Sequence, residues 1–472
     1  MAKKKNILLS NNSARNIAVN CLIDFERYQR NIQDNLDIIF REHPCDYRDR
    51  RLATELAYGT CRQLITLDYV IAKHCSRPLR QIDRIFLQIL RVAIYQMIYL
   101  NRTPDFASVH EAVNQARDTG LRGGDSFVNA ILRSVQRDID RFSPPQDNDN
   151  PRSVLALNPN TVCRFNTNLL PNPDKNLAKY ISLTYAQPLW LIKRWLKQFG
   201  EKIVKQICLA SNSRPCLILR NNSLRGSREE LIALLAKGGV SAQLHGNAII
   251  LETSVIPEQL PGYQEGLFTI QDTTAMAVAP QLHPKPHERI LDLCAAPGGK
   301  ATHLAELMNN TGSIIACDIL PKKLDLIREN CRRLGITIIQ ASLVENLDQH
   351  ISRDGLFDAI LIDAPCSNSG VMARRAEIRH RLKPIDIQRL AHMQMELLNR
   401  AVATLKPKGR ILYSTCSIDT MENDSLIQKF LDDTPDFNLQ HEKLTLPGNS
   451  TSHNVTDFGW RDGGYTAMLI RG

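Results

Sequence analysis

At 472 residues with 43% hydrophobic side chains, the chain is long enough for two to four domains of roughly 100 to 200 residues, each with a true core. Its 59 Lys+Arg against 49 Asp+Glu leave a net charge of +10, which favours a polyanionic partner without identifying one. Twelve cysteines are too sparse for a disulfide scaffold, and no Cys-x-x-Cys or His-Glu-x-x-His spacing suggests a metal, so reduced thiols in a cytoplasm are expected.

The start, Met1–Lys5, is basic but is not followed by the apolar core of a signal peptide. Ile82 to Leu100 is the longest oily stretch, and it carries Arg84, Gln88, Arg91 and Gln96, too many polar groups for lipid. From Ala14 to about Asp140 the pattern is helical. Ile82, Ile85, Phe86, Ile89, Ala93, Met97 and Leu100 fall at three- and four-residue steps and make one apolar face. Arg62, Lys73, Arg77, Arg80 and Arg91 are either ordinary solvated helix faces or an RNA surface. Ser143 to Pro151, with its paired prolines and Asp-Asn-Asp-Asn run, reads as a linker at a domain boundary.

Val154 to Gly262 has the texture of a small α+β module. Helices are expected over Pro188–Phe199 and Ser227–Lys237, and strands over Leu217–Arg220 and Ala248–Glu252. Trp190 and Trp195 on the first helix could stack bases, but aromatics at helical spacing are more often core. Near Gly262 a third domain is expected to begin, opened by the strand Phe268–Ile270 and the pair Gln271-Asp272.

Arg289 to Leu293 then reads as a buried parallel strand that breaks at Cys294-Ala295-Ala296-Pro297-Gly298-Gly299-Lys300 into a turn and helix. Two glycines let backbone approach a ligand, and the helix start offers free amides. A P-loop would need glycine at Cys294 and Ser or Thr at Ala301, and Gly-x-Gly-x-x-Gly is absent, so the ligand lacks a phosphate tail. A second strand, Ser313–Cys317, ends in Asp318, well placed for ribose hydroxyls in a doubly wound sheet. A helix over Pro321–Leu334 leads to a third strand, Ile336–Ala341. A fourth, Phe357–Asp363, runs into Asp363-Ala-Pro-Cys366, and a fifth, Arg410–Ser414, into Thr415-Cys416-Ser417.

Both cysteines therefore leave neighbouring strands at the ligand-binding edge, where loops have no packing reason to hold a thiol. Cys294 and Cys317 read as small buried hydrophobes. A thiolate is strongly nucleophilic once deprotonated and suits a reaction that passes through a covalent adduct. Asp363, beside the bend that carries Cys366, is placed to protonate or hydrogen-bond a group on which charge forms, and Lys300 adds positive charge. The residues alone do not decide which cysteine attacks. Arg374, Arg375, Arg379 and Arg381, with Lys383 and Arg389, follow directly and read as a phosphate clamp or a solvated charge run.

The segment Asp292-Leu-Cys-Ala-Ala-Pro-Gly-Gly-Lys300 resembles the S-adenosylmethionine-dependent methyltransferases, and within them the RsmB/NOP family of RNA 5-methylcytosine methyltransferases. Tyr95–Leu100 and Phe127–Arg133 resemble the NusB-like RNA-binding domain of its bacterial 16S rRNA branch. Ala186–Trp190 and Leu219–Asn222 resemble the family's RRM-like insert, which helps hold RNA. The resemblance implies a multidomain chain: an all-α NusB-like domain (1–145), a linker and RRM-like α+β module (146–262), and a Rossmann-like α/β catalytic domain (263–472). It implies S-adenosylmethionine as cofactor, with Cys294–Lys300 at the methionine end and sugar, Asp318 on the ribose, and Asp363 at the same mouth. Cys416 becomes the nucleophile and Cys366 the residue that assists release. Glu422-Asn423 matches a further family segment, and Tyr465–Ile470 the family's closing strand.

Where the family carries an adenine-binding aspartate, this chain reads Gln340-Ala341-Ser342-Leu343, leaving Ser342 a weaker acceptor and Glu345 the nearest acid. The Arg375-Ala-Glu-Ile-Arg379 stretch also departs from the usual Pro-Asp-Ile pattern. The implied substrate is 16S rRNA, or the unassembled small ribosomal subunit, at cytidine 967, bound by a monomer with no membrane partner. The rival readings are an rRNA-binding assembly factor without turnover, and the same chemistry on tRNA or DNA.

Overall fold

The computed structural model describes residues 9, 13–100, 105–251, 256–448 and 461–472. The basic start Met1–Lys5 and Glu252, the end of one expected strand, lie outside them. The chain forms two compact units, Met1–Ser213 with Arg375–Arg381, and Arg214–Arg374 with Leu382–Gly472.

The first unit opens with helices α1 (Ala14–Tyr28), α2 (Ile32–Glu42), α3 (Tyr47–His74), α4 (Arg84–Tyr99), α5 (Asp105–Asp118) and α6 (Gly124–Asp138). Every residue of α4 from Ile85 to Ile98 is buried, so the helix expected to have one apolar face is the core of the bundle. Its buried charge is matched inside: Arg91 pairs with Asp68 at 2.7 Å and Glu26 at 2.5 Å, as burial of a charge requires, whereas neither amide atom of Gln88 has a partner. Arg62 is buried as well, so neither it nor Arg91 belongs to an RNA surface.

Strands β1 (Ile139–Ser143), β2 (Val154–Asn158) and β3 (Thr161–Phe165) form an antiparallel sheet in the order β1-β3-β2. The buried guanidinium of Arg164 holds Asp149 at 2.6 Å and also meets the Ser143 hydroxyl. The Ser143–Pro151 stretch is thus a tied connection inside the first unit, not the expected linker between domains. Helices α7 (Leu177–Thr184) and α8 (Leu189–Asn212) follow, α8 bending at Gly200. Trp195 is fully buried, as core spacing suggested, and Trp190 half-buried.

The second unit begins with β4 (Leu217–Asn221), α9 (Arg228–Lys237), β5 (Ala242–His245), β6 (Ala248–Leu251) and β7 (Phe268–Ile270), an antiparallel sheet in the order β5-β6-β4-β7. The boundary expected near Gly262 falls inside this module, because Phe268 of β7 is buried with Leu219, Leu231 and Ile249.

Short helices α10 (Thr273–Met276) and α11 (Val278–Gln281) lead to β8 (Arg289–Asp292), α12 (Gly299–Leu307), β9 (Ser313–Asp318), α13 (Pro321–Leu334), β10 (Ile339–Leu343), α14 (Leu347–Asp354) and β11 (Phe357–Asp363). After α15 (Ile378–Arg381), which belongs to the first unit, come α16 (Pro384–Thr404), β12 (Leu405–Thr415), α17 (Asp424–Asp433), β13 (Phe437–Thr445) and β14 (Gly464–Arg471). The sheet order is β10-β9-β8-β11-β12-β14-β13, parallel from β10 to β12 and antiparallel at β14 and β13.

Alternate residues face opposite layers, as the two-residue strand period demands. Leu291, Ile315, Ile360 and Ile362 lie in one cluster with Phe430; Ile290, Ile314, Ala359 and Leu361 lie in the other with Leu304 and Ile327. The third strand starts later than expected because Gly335, in the left-handed region, closes α13 with an Ile336 amide bond to the Cys331 carbonyl. No helix among the described residues is long and apolar enough to cross a membrane.

Candidate active site

From β8 the chain builds β9 and β10 on one side, then crosses to build β11 and β12 on the other. That reversal opens a crevice at the carboxyl ends of β8 and β11, the usual ligand site of such sheets. Register sets Leu361 of β11 beside Asp292, and Asp363 beside Ser414 of β12. The loops that follow β11 and β12 therefore emerge together, and Lys300, Asp363, Cys416 and Tyr465 line one cleft.

Within it, Lys300 Nζ lies 2.6 Å from Asp363 Oδ2. Burial pulls the Lys300 pKa down, but the Asp363 charge and hydrogen bond outweigh it, with help from Cys416 and Asp292, so the ammonium is retained. The Sγ atoms of Cys366 and Cys416 are 3.2 Å apart, and Cys416 Sγ donates to Asn368 Oδ1 at 3.0 Å. The hydrogen bond to Cys416 and then burial push the Cys366 thiol well above its ordinary value. Asn368 holds a left-handed backbone, and its amide returns to the Cys366 carbonyl at 2.9 Å. Gly370 donates to the Cys416 carbonyl at 2.9 Å. A Cβ there would meet the Gly463 and Cys416 carbonyl regions at 2.7 to 2.8 Å, so the two cysteine loops dock only through glycine.

Beneath them Glu422, fully buried, accepts from Ser367 N at 2.8 Å, Ser367 Oγ at 2.5 Å, Ser417 Oγ at 2.6 Å and Gln394 Nε2 at 3.1 Å. Its two serine partners are the residues after Cys366 and Cys416, so one carboxylate straps both loops. Burial raises its pKa, and these hydrogen bonds oppose the rise.

On the other flank, the turn Cys294-Ala295-Ala296-Pro297-Gly298-Gly299-Lys300 opens into α12, with Gly298 at φ 106, a conformation that favours glycine. Asp318 ends β9, nearly buried, with Lys323 at 3.3 Å. Asp292 is fully buried, and its pKa is raised to about 7, by burial first and then by Asp363, with Lys300 and a hydrogen bond from the Cys294 backbone opposing the rise. Ser342 Oγ lies 2.9 Å from Nε2 of His350, whose pKa is lowered by burial and by Arg353. Glu345 is exposed. A glycine turn at the start of a helix, an acid at the end of β9, and a buried carboxylate beside the turn fit a nucleoside cofactor that carries an amino acid group.

The proposed arginine clamp is largely dissolved by the structure. Arg379 is buried; it donates to the Arg62 carbonyl and Asn212 Oδ1, each at 2.8 Å, and to the Ser211 carbonyl at 3.0 Å. With burial the largest cause and Arg62 next, its pKa falls to about 9. Arg381 donates to Asn31 at 3.0 Å and stacks 5.2 Å over Phe25. Arg374 holds Asp462 at 2.8 Å. Of the four, Arg375 alone is exposed. A run of arginines in sequence is silent about how many reach inward.

Sequence reasoning also passed over Asn368, Gln394 and Asp462, and took Glu422 only as a family match. Their roles have no local signal, because each also bonds a residue far along the chain: Asn368 with Cys416, Gln394 and Ser367 with Glu422, and Asp462 with Arg374.

This fold and crevice define an S-adenosylmethionine-dependent methyltransferase. The family model described as 16S rRNA methyltransferase RsmB/F matches residues 279–458, the NusB family model residues 12–137, and the RsmF/B-like ferredoxin-like domain model residues 187–256. The "Probable ribosomal RNA small subunit methyltransferase B" of Bacillus subtilis is 35% identical over 90% of this chain and 89% of its own. The ribosomal RNA small subunit methyltransferase B of Proteus mirabilis is 34% identical over 85% and 87%. The crystal structure of PH0851 superposes with a TM-score of 0.73 at 25% identity, covering 98% of this chain and all of that one. The chain belongs to the 16S rRNA methyltransferase RsmB/F family, with a NusB domain, a ferredoxin-like middle module and a methyltransferase domain in that order.

Proposed function

We propose that the protein methylates carbon 5 of a cytidine in 16S rRNA, the resemblance pointing to cytidine 967, through a covalent cysteine adduct. The observation that carries this is the pair of thiols 3.2 Å apart, at the mouth that also holds the Lys300–Asp363 pair. The names of the Bacillus and Proteus relatives support the RNA class.

Cys416 Sγ, the less buried thiol and the one near the Lys300 charge, attacks carbon 6. Asp363 relays the Cys416 thiol proton to ring nitrogen 3 as the ring's electrons shift, so that carbon 5 becomes nucleophilic, and takes it back once the methyl group has been transferred. S-adenosylmethionine, held by Cys294–Lys300, Asp318, Ser342 and Asp363, supplies the methyl group when bound. Release then requires loss of the carbon 5 proton, re-formation of the 5,6 double bond and breakage of the sulfur–carbon 6 bond. Cys366, whose proton is strongly retained, gives it to the departing Cys416 sulfur 3.2 Å away and takes up the carbon 5 proton in its place. The phosphate contacts of this reading reduce to Arg375, with Arg374 partly exposed at 29%.

Denaturing electrophoresis of the protein with a 16S rRNA fragment and S-adenosylmethionine tests the proposal. Cys366→Ala should trap a covalent protein–RNA band, and replacing Cys416 as well should abolish it. If Cys416→Ala traps RNA instead, the thiol roles are reversed. If no variant traps RNA and wild type transfers no methyl group although RNA binds, the adduct chemistry is refuted in favour of an assembly factor.

A further inference from the structure

Arg220 belongs to β4 of the ferredoxin-like module, but its side chain is committed to α12 of the methyltransferase fold. The guanidinium is 4% exposed. Nη1 donates to the Gly299 carbonyl at 2.7 Å and to the Gln271 side chain; Nη2 donates to Thr302 Oγ1 at 3.2 Å and to Glu306 Oε1 at 2.7 Å. Positions 299, 302 and 306 share one face of a helix, so one planar group grips two turns of α12 from its first residue onward.

We infer that Arg220 is a positioning residue for the cofactor turn: its fork fixes the rotation and pitch of α12, and with them the amides of Gly298–Lys300 and the reach of Lys300 to Asp363. The inference rests on the assignment of Cys294–Lys300 to the cofactor. A buried Arg–Glu pair is dispensable for stability in principle, since apolar side chains of similar volume can replace it. The Gly299 carbonyl is different. It lies in the first turn of the helix, where the Thr302 hydroxyl also reaches it at 3.2 Å, and an apolar side chain cannot replace the shorter bond from the arginine. Cofactor affinity then depends on a residue in the ferredoxin-like module that needs to touch neither cofactor nor RNA.

The test uses the full-length protein without RNA. S-adenosylhomocysteine affinity is measured by calorimetry, melting by scanning calorimetry, and exchange of the amides from Gly298 to His303 by mass spectrometry. Arg220→Met combined with Glu306→Met removes both buried charges. It should melt close to wild type, bind the ligand about ten-fold or more weakly, and exchange those amides about ten-fold faster, since small displacements in a site cost up to about a hundred-fold. Arg220→Lys reaches Glu306 with one ammonium but lacks the fork; it should also melt close to wild type without wild-type affinity, and it carries the test if the double variant does not fold.

Gly298→Val perturbs the turn itself. If it weakens binding while Arg220→Lys and the double variant stay within about two-fold of wild type, the positioning role is overturned alone. If Gly298→Val also leaves affinity unchanged, the assignment of the turn fails and the inference with it.

Discussion

Removing the Glu422 carboxylate should loosen both thiol loops at once. Four donors converge on it, from Ser367 N, Ser367 Oγ, Ser417 Oγ and Gln394 Nε2. In Glu422→Ala the two hydroxyls, already 3.1 Å apart, can pair with each other, but the Ser367 amide and one of the two Gln394 amide hydrogens are stranded in a buried site, the other staying on the Pro365 carbonyl at 2.8 Å. At roughly 1 to 3 kcal/mol for each buried donor left unmet, the loss of stability is about 4 kcal/mol. Glu422→Gln keeps the volume but turns an NH2 toward donors, for about 2 kcal/mol. Because Ser367 and Ser417 adjoin the two cysteines, a shift of about 1 Å in either loop should lower kcat by about a hundred-fold, with little change in the KM for S-adenosylmethionine. Chemical melting and steady-state methyl transfer, together with the rate at which a thiol reagent labels Cys416, measure all three effects. Glu422→Gln with wild-type melting and wild-type labelling would refute the strap.

Asp292 titrates from about 7 in the folded chain against 3.8 unfolded. A raised carboxyl contributes stability that is complete below the unfolded value and is lost as pH rises through the folded one, up to about 4 kcal/mol in all. Asp292→Asn does not titrate, so its melting temperature relative to wild type should climb between about pH 4 and pH 8 in the cofactor-free protein; a flat difference would sink the assignment. Arg379→Met should cost about 3 kcal/mol through carbonyls left without their donor, yet leave the salt dependence of RNA binding intact at temperatures where it is folded. Arg375→Gln should change stability by less than about 0.5 kcal/mol and reduce the salt slope by about one contact. The opposite pattern in filter-binding titrations would restore the clamp to Arg379.

The parallel core was legible because its strands are buried on both faces and punctuated by glycine, proline and helix signals. Pro321–Leu334 and Phe357–Asp363 match the observed bounds. β13 was not legible: Asn438, Gln440, Glu442 and Lys443 are polar and exposed, and Leu439 and Leu444 are exposed too, so no buried face marks it. Module boundaries were hidden for another reason. Pro144-Pro145 and Asp147-Asn-Asp-Asn look like linker until Arg164 reaches back to Asp149, and such a contact is written in neither segment alone. At the site, the thiols and Lys300 could be picked out by their positions at strand ends. Glu422 and Arg220 could not, since their partners lie in loops or helices that only the fold brings near.

Arg375–Arg381 completes the first unit from a point far downstream of Ser213. Ala376 enters its apolar core, and Arg379 supplies donors to carbonyls at Arg62 and Ser211. During synthesis the amino-terminal half therefore waits, incomplete, while the ribosome adds everything from β4 through β11, on the order of ten seconds or more at ordinary elongation rates. A nascent chain halted after Ser213 would present an unfilled slot lined by those carbonyls. The order of folding is thus inverted locally: part of the amino-terminal unit is among the later pieces to be made, and its closure follows translation of the strands that carry Asp318 and Asp363.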